Sequence, residues 1–159
     1  MIGHILNPLK VFLLLVCIAF SPISSLAAAK QPVLNIFLVQ NSGWMEPFYE
    51  DSNSNFKSLV GAVINKVSRK GDEFVAASFN QSEGKNISPL LVYRGSDQNV
   101  LRKELSKINL AKKHGGYAYT DTDFKEAVIS SITQYSPKKP CILWIFTNNK
   151  NSPNNSPQT

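Results

Sequence analysis

The side chains in this sequence best suited to chemistry are mostly neutral and carry oxygen. Gln40, Asn41 and Ser42 follow one apolar run, and Thr147, Asn148 and Asn149 follow another. Between them, Thr120 to Asp123 alternate hydroxyls with carboxylates. Hydroxyl, amide and carboxylate oxygens are what a small hard cation such as Mg²⁺ takes as ligands, with at least one negative charge to offset its dehydration. A hydroxyl is also a nucleophile when a base sits beside it, so Ser42 with His114, oriented by Asp121 or Asp123, defines a rival hydrolase reading. Against it, Asn41-Ser42-Gly43 is not a G-x-S-x-G elbow, and Ser42 stands past its apolar run rather than on a strained strand-to-helix turn. His114 adjoins Lys112 and Lys113, as an exposed loop residue would.

The first residues are set apart from the rest. Lys10 precedes an unbroken apolar run, Val11 to Phe20, and small residues then lead to Ala27-Ala28-Ala29. This order of basic, apolar and small residues predicts a secretory signal peptide over 1–29, with an uncleaved membrane anchor as the alternative. The protein is therefore expected to be exported, to the periplasm or beyond it, and to meet the membrane only through that segment. Cleavage would leave His114 as the only histidine and Cys141 as the only cysteine, so neither an internal disulfide nor a zinc site is expected. No G-x-x-x-x-G-K or G-x-G-x-x-G cradle for phosphate is present. The chain is basic, at +6, but its charge is scattered and not interleaved with aromatics, so no nucleic-acid partner is expected.

Elements must carry these residues. Pro32 to Val39 reads as a buried strand. Gln40 to Asn53 is too irregular to be either element. Phe56, Leu59, Val60, Val63, Ile64 and Val67 recur at helical spacing, with Ser52 or Ser54 as cap and Gly71 as stop. Phe74 to Phe79 and Pro89 to Tyr93 read as strands close enough to form a hairpin, the second at an edge. A weaker helix is expected from Asp97 to Ile108, capped by Ser96, and another from Asp123, which opens a capping-box-like Asp123-x-x-Glu126. Cys141 to Phe146 is a fully apolar strand, and Asn148 to Thr159 reads as loop or disorder. Apolar strands separated by amphipathic helices give an α/β sheet, mostly parallel, whose ligand site lies at the carboxyl ends of its strands. The loops after Val39, before Asp123 and after Phe146 all fall there.

Those loops carry a resemblance. Ile36 to Met45, IFLVQNSGWM, resembles the first motif of von Willebrand factor type A domains, an apolar strand ending in Asp-x-Ser-Gly-Ser. Asn41-Ser42-Gly43 and Met45 fit, while Gln40 replaces the Asp and Trp44 the second Ser. Gly115 to Val128, GGYAYTDTDFKEAV, is similar to the second motif, with Thr122 the matching threonine and Thr120 the other candidate. Ile142 to Asn149, ILWIFTNN, resembles the third, a strand running into Thr-Asp-Gly, with Thr147 retained, Asn148 for Asp and Asn149 for Gly.

The resemblance implies a three-layer, Rossmann-like sheet over residues 30–150, mostly parallel with one antiparallel edge strand, followed by a polar tail over 151–159. It also implies a degenerate metal-ion-dependent adhesion site at Gln40, Ser42, Trp44, Thr122 and Asn148. Only Ser42 and Thr122 survive as metal ligands, so no cofactor is expected, with Mg²⁺ the alternative. The same polar groups could instead hydrogen-bond one another where a metal would sit. Trp44, Phe48 and Tyr49 form an aromatic loop, read either as packing or as an anchor for a protein partner. In the family the sheet continues past the third motif. Its strand Cys141 to Phe146 is interior there, so the sheet is expected to be incomplete on that side, either as a fragment or awaiting a partner's strand. The functional expectation is an exported, non-catalytic protein-binding module; an envelope scaffold without a ligand site is the further alternative.

Overall fold

In the computed structural model the chain divides into Met1–Gln31 and a compact unit, Pro32–Thr159. The structure describes residues 31–112 and 121–153. The expected signal segment, His114, the glycine pair and Thr120 therefore lie outside the described residues.

A mostly apolar run, broken by Asn35 and ended by Gln40, makes β1, Leu34–Gln40, a strand buried along its whole length. It pairs in parallel with β2, Glu73–Phe79, on one side and with β4, Cys141–Phe146, on the other. β3, Leu90–Gly95, runs antiparallel to β2 at the edge, as the hairpin expectation required. The sheet order is β3-β2-β1-β4.

Alternation along β1 gives the sheet two apolar faces. Phe37 and Val39, with Phe74 and Ala76 of β2, pack against α2, Phe56–Val67, and α3, Gln98–Ser106. Leu34, Ile36 and Leu38, with Val75, Ala77 and Phe79, pack against α4, Phe124–Tyr135. Helices on both faces of one sheet make three layers. On the α2 side Phe37 stacks on Trp144 and on Phe146, with ring centroids 6.5 Å apart in both pairs.

Several local expectations are corrected. The loop after β1 is not wholly irregular: a 3₁₀ turn, Gly43–Met45, leads into a short helix α1, Glu46–Tyr49, whose Pro47 suits a first turn. α2 ends at Val67, where Ser68 is already extended, and Gly71 at φ +94° makes the later turn into β2. Asp97, not Ser96, caps α3, accepting hydrogen bonds from Asn99 N and Val100 N. β4, by contrast, is an edge among the described residues, as expected of a sheet incomplete on that side, with Ile142 and Ile145 more than two-fifths exposed. The segment after it is not wholly loose either, because Asn148–Pro153 folds back over the carboxyl end of the sheet.

Candidate functional site

The carboxyl end of β1 carries the centre of the site. Gln40 is the last residue of β1 and fully buried, and its backbone carbonyl accepts a 3.0 Å hydrogen bond from Tyr49 Oη. Its side-chain oxygen accepts from Thr147 Oγ1 at 2.5 Å and from Asn148 N at 3.3 Å, both just beyond β4. That main-chain N–H can only donate, so it fixes the amide oxygen toward β4 and turns the amide nitrogen the other way. There Gln40 Nε2 donates to Ser42 Oγ at 2.8 Å and to Thr122 Oγ1 at 2.9 Å. Thr122 Oγ1 in turn donates to Ser42 Oγ at 2.8 Å, and neither hydroxyl reaches solvent. One amide thus joins the loops of all three motifs, and every atom of its head group is used.

α4 places Thr122. Asp123 caps the helix by accepting from Glu126 N at 2.9 Å, the first half of a capping box. The other half is diverted, since Glu126 Oε2 accepts from Ser82 N, across in the loop after β2. Beside the site Asn41 Nδ2 donates to Asn109 O at 3.3 Å, while its buried Oδ1 has no partner among the described residues. That orphan acceptor costs about 1–3 kcal/mol.

This arrangement does not fit a divalent cation. The two hydroxyl oxygens that would face the ion already accept the N–H groups of Gln40, and Asn148 contributes its main-chain N–H, which repels a cation. Asp123 is committed to its helix cap, and among the described residues no three His, Cys, Asp or Glu side chains cluster closely enough to hold a metal. An amide cancels none of the charge that a dehydrated Mg²⁺ brings. Gln40, Ser42 and Thr122 are uncharged, buried and hydrogen-bonded to one another. A buried Ser42 that accepts two hydrogen bonds is also poorly placed as a nucleophile.

The aromatic loop divides in two. Phe48 and Tyr49 lie on Phe56 at the start of α2, with centroids 6.0 and 5.6 Å away. Burial raises the Tyr49 phenol well above its usual value. Tyr49 is therefore packing, whereas Phe48 stays 40% exposed. Trp44 turns away from them. Its Nε1 donates to Ser152 Oγ at 2.7 Å, Lys150 Nζ lies 3.1 Å from its ring centroid, and its carbonyl accepts from Asn148 Nδ2 at 2.7 Å. Thr147, Lys150 and Ser152 were not among the expected site residues. Thr147 stood in the third motif and was findable; Lys150 and Ser152 sit in a polar stretch with no periodic signal.

The fold has solved counterparts. Proximal thread matrix protein 1 from the mussel byssus superposes with a TM-score of 0.51 over 78% of this chain and 31% of its own, at 12% identity. A second structure of that protein, with zinc occupying its MIDAS motif, gives a TM-score of 0.49 at 11% identity, over 72% of this chain and 28% of its own. This chain thus spans about a third of the length of those it matches. No protein-family profile matches the sequence, and no curated protein does. With this topology and the first of these neighbours, the chain has a von Willebrand factor type A-like α/β fold. Among the described residues no helix is long and apolar enough to cross a membrane.

Proposed function

We propose that this chain is an exported, non-catalytic protein-binding module in which an amide has replaced both the metal and its carboxylate ligand. The observation that carries the reading is the bifurcated donation from Gln40 Nε2 to Ser42 and Thr122. Two N–H groups aimed at two hydroxyl oxygens take the place of a cation's pull, and they do so with no net charge. The loops are then held together at any metal concentration, and binding of a partner no longer depends on an ion that bridges to its carboxylate. Trp44 and Phe48, exposed on the same loop, supply the contact surface. The mussel matrix protein, a structural protein with the same fold, supports an adhesive role over an enzymatic one.

Thermal unfolding in Mg²⁺, Mn²⁺ or chelator, followed by isothermal titration, tests the metal half of this reading. Wild type should neither bind saturably nor shift its Tm, whereas Gln40→Asp combined with Asn148→Asp should gain both responses. Saturable binding by wild type, lost in Ser42→Ala and Thr122→Ala, would overturn it. For the partner half, a photo-crosslinking residue at Phe48 should give discrete adducts in the native host that vanish with Trp44→Ala, while one at Ile87 gives none. Absence of adducts from Phe48 rejects the surface.

A further inference from the structure

The contact surface around Trp44 already has an occupant. Asn148–Pro153 leaves β4 through Asn149, at φ 62°, and runs back across the site to an isolated β-bridge between Ser152 and Thr122. Ser152 pairs with Thr122 through its main chain, donating at 3.0 Å and accepting at 3.4 Å. Its hydroxyl accepts from Trp44 Nε1, Lys150 lies on the Trp44 ring, and Asn151 Oδ1 accepts from Phe124 N, a first-turn N–H of α4, at 3.0 Å.

We infer that this strap is a built-in pseudo-ligand and that the module's external partner is an extended peptide of the same chemistry. The inference rests on the protein-binding reading above and names the partner's class. Without the strap, the surface presents the N–H groups of Trp44, Thr122 and Phe124 beside an open indole face. Each N–H asks for an acceptor, and the indole face asks for a cation. A strand with a basic residue, then an acceptor side chain, then a hydroxyl residue answers all of them, and its main chain adds to Thr122 as a short β-augmentation. An aspartate at the middle position suits the N-terminus of α4 better still.

The strap is built to be displaced. Asn149, Lys150 and Asn151 are exposed, and the strap carries no large apolar side chain of its own. Beyond Asn148, whose main-chain N–H stays with Gln40, its hold consists of the main-chain pair to Thr122, exposed side-chain hydrogen bonds and one cation–π contact, each modest in water. An external peptide must compete with it, so wild type binds more weakly than a variant whose strap is unlatched.

The test uses the full chain labelled at the tryptophan indole nitrogens, with Trp144 as internal reference. Lys150→Ala combined with Ser152→Ala should move the Trp44 indole resonance. A capped peptide with the sequence of residues 148–153 should then return it saturably, with an affinity about tenfold above that for wild type. The same peptide with its lysine changed to glutamate should fail. An unmoved Trp44 resonance in the unlatched variant overturns the inference, as does a moved resonance that no peptide concentration restores. If crosslinks from Phe48 persist in either case, the protein-binding reading stands and only this ligand class falls.

Discussion

Gln40 and Thr122, 82 positions apart in the chain, share a 2.9 Å hydrogen bond inside a shell that water does not enter. The amide is satisfied at both ends, so removing it strands donors and acceptors on both sides of the sheet's carboxyl edge. Gln40→Ala should lower stability by about 2–4 kcal/mol, read as a lower urea midpoint at unchanged m-value. Gln40→Glu should cost less, because the Ser42 and Thr122 hydroxyls can rotate to donate to a carboxylate. The reverse order would mean that the lock is not what holds these loops.

A second buried junction lies at the opposite end of the strands. Asp72 accepts from Val33 N, Asn35 Nδ2 and Arg69 N, and Asn35 Oδ1 accepts from Trp144 Nε1. Asp72→Ala leaves those donors unpaired and should cost about 2–4 kcal/mol by chemical denaturation. Trp144→Phe, which keeps the stacking on Phe37, should cost about 1 kcal/mol.

Alkaline pH should weaken the fold through Tyr49. Burial raises its folded-state pKa above the usual 10.0, and Tyr135 is shifted the same way. The unfolded chain releases these protons first, so the stabilisation is complete below pH 10 and declines as pH rises beyond it. Tyr49→Phe should flatten that decline, while its lost bond to the Gln40 carbonyl costs about 1 kcal/mol near neutrality. An unchanged slope between pH 10 and 11 in the variant would remove Tyr49 from the account.

Among the described residues β4 presents an uncovered edge, with no charge from Cys141 to Phe146 and Ile145 exposed on the α4 side. Ile145→Lys places a charge on a strand that otherwise invites pairing. Light scattering at high protein concentration should show less self-association than in wild type, with little change in Tm.

Legibility in the sequence followed periodicity. The helix over 56–67 and the strand over 141–146 were readable because apolar spacing runs through their whole length. The 3₁₀ turn and the short helix after β1 were not, since neither completes enough turns to show a period. The edge position of β4 was legible only through the family resemblance, because an apolar run reads the same in an interior strand and at an edge. At the site, the residue types foretold which loops would meet. They could not foretell which way the Gln40 amide points, which is decided by a main-chain N–H from Asn148. The strap was invisible for a related reason: its contacts run from single polar atoms to partners distant in sequence, and a stretch of Asn, Ser and Pro looks the same with or without them.

The placement of β1 also governs when this protein can fold. Leu34 aligns with Glu73 on one side and with Cys141 on the other, so the central strand waits for a neighbour more than a hundred residues downstream. Until that neighbour emerges, Phe37 lacks the rings of Trp144 and Phe146. Parallel pairings this remote make for slow folding, on the order of milliseconds to seconds, after a long interval as a loosely collapsed chain. Throughout such an interval the apolar face around Phe37 stays open to other chains, so association between molecules competes with closure of the sheet.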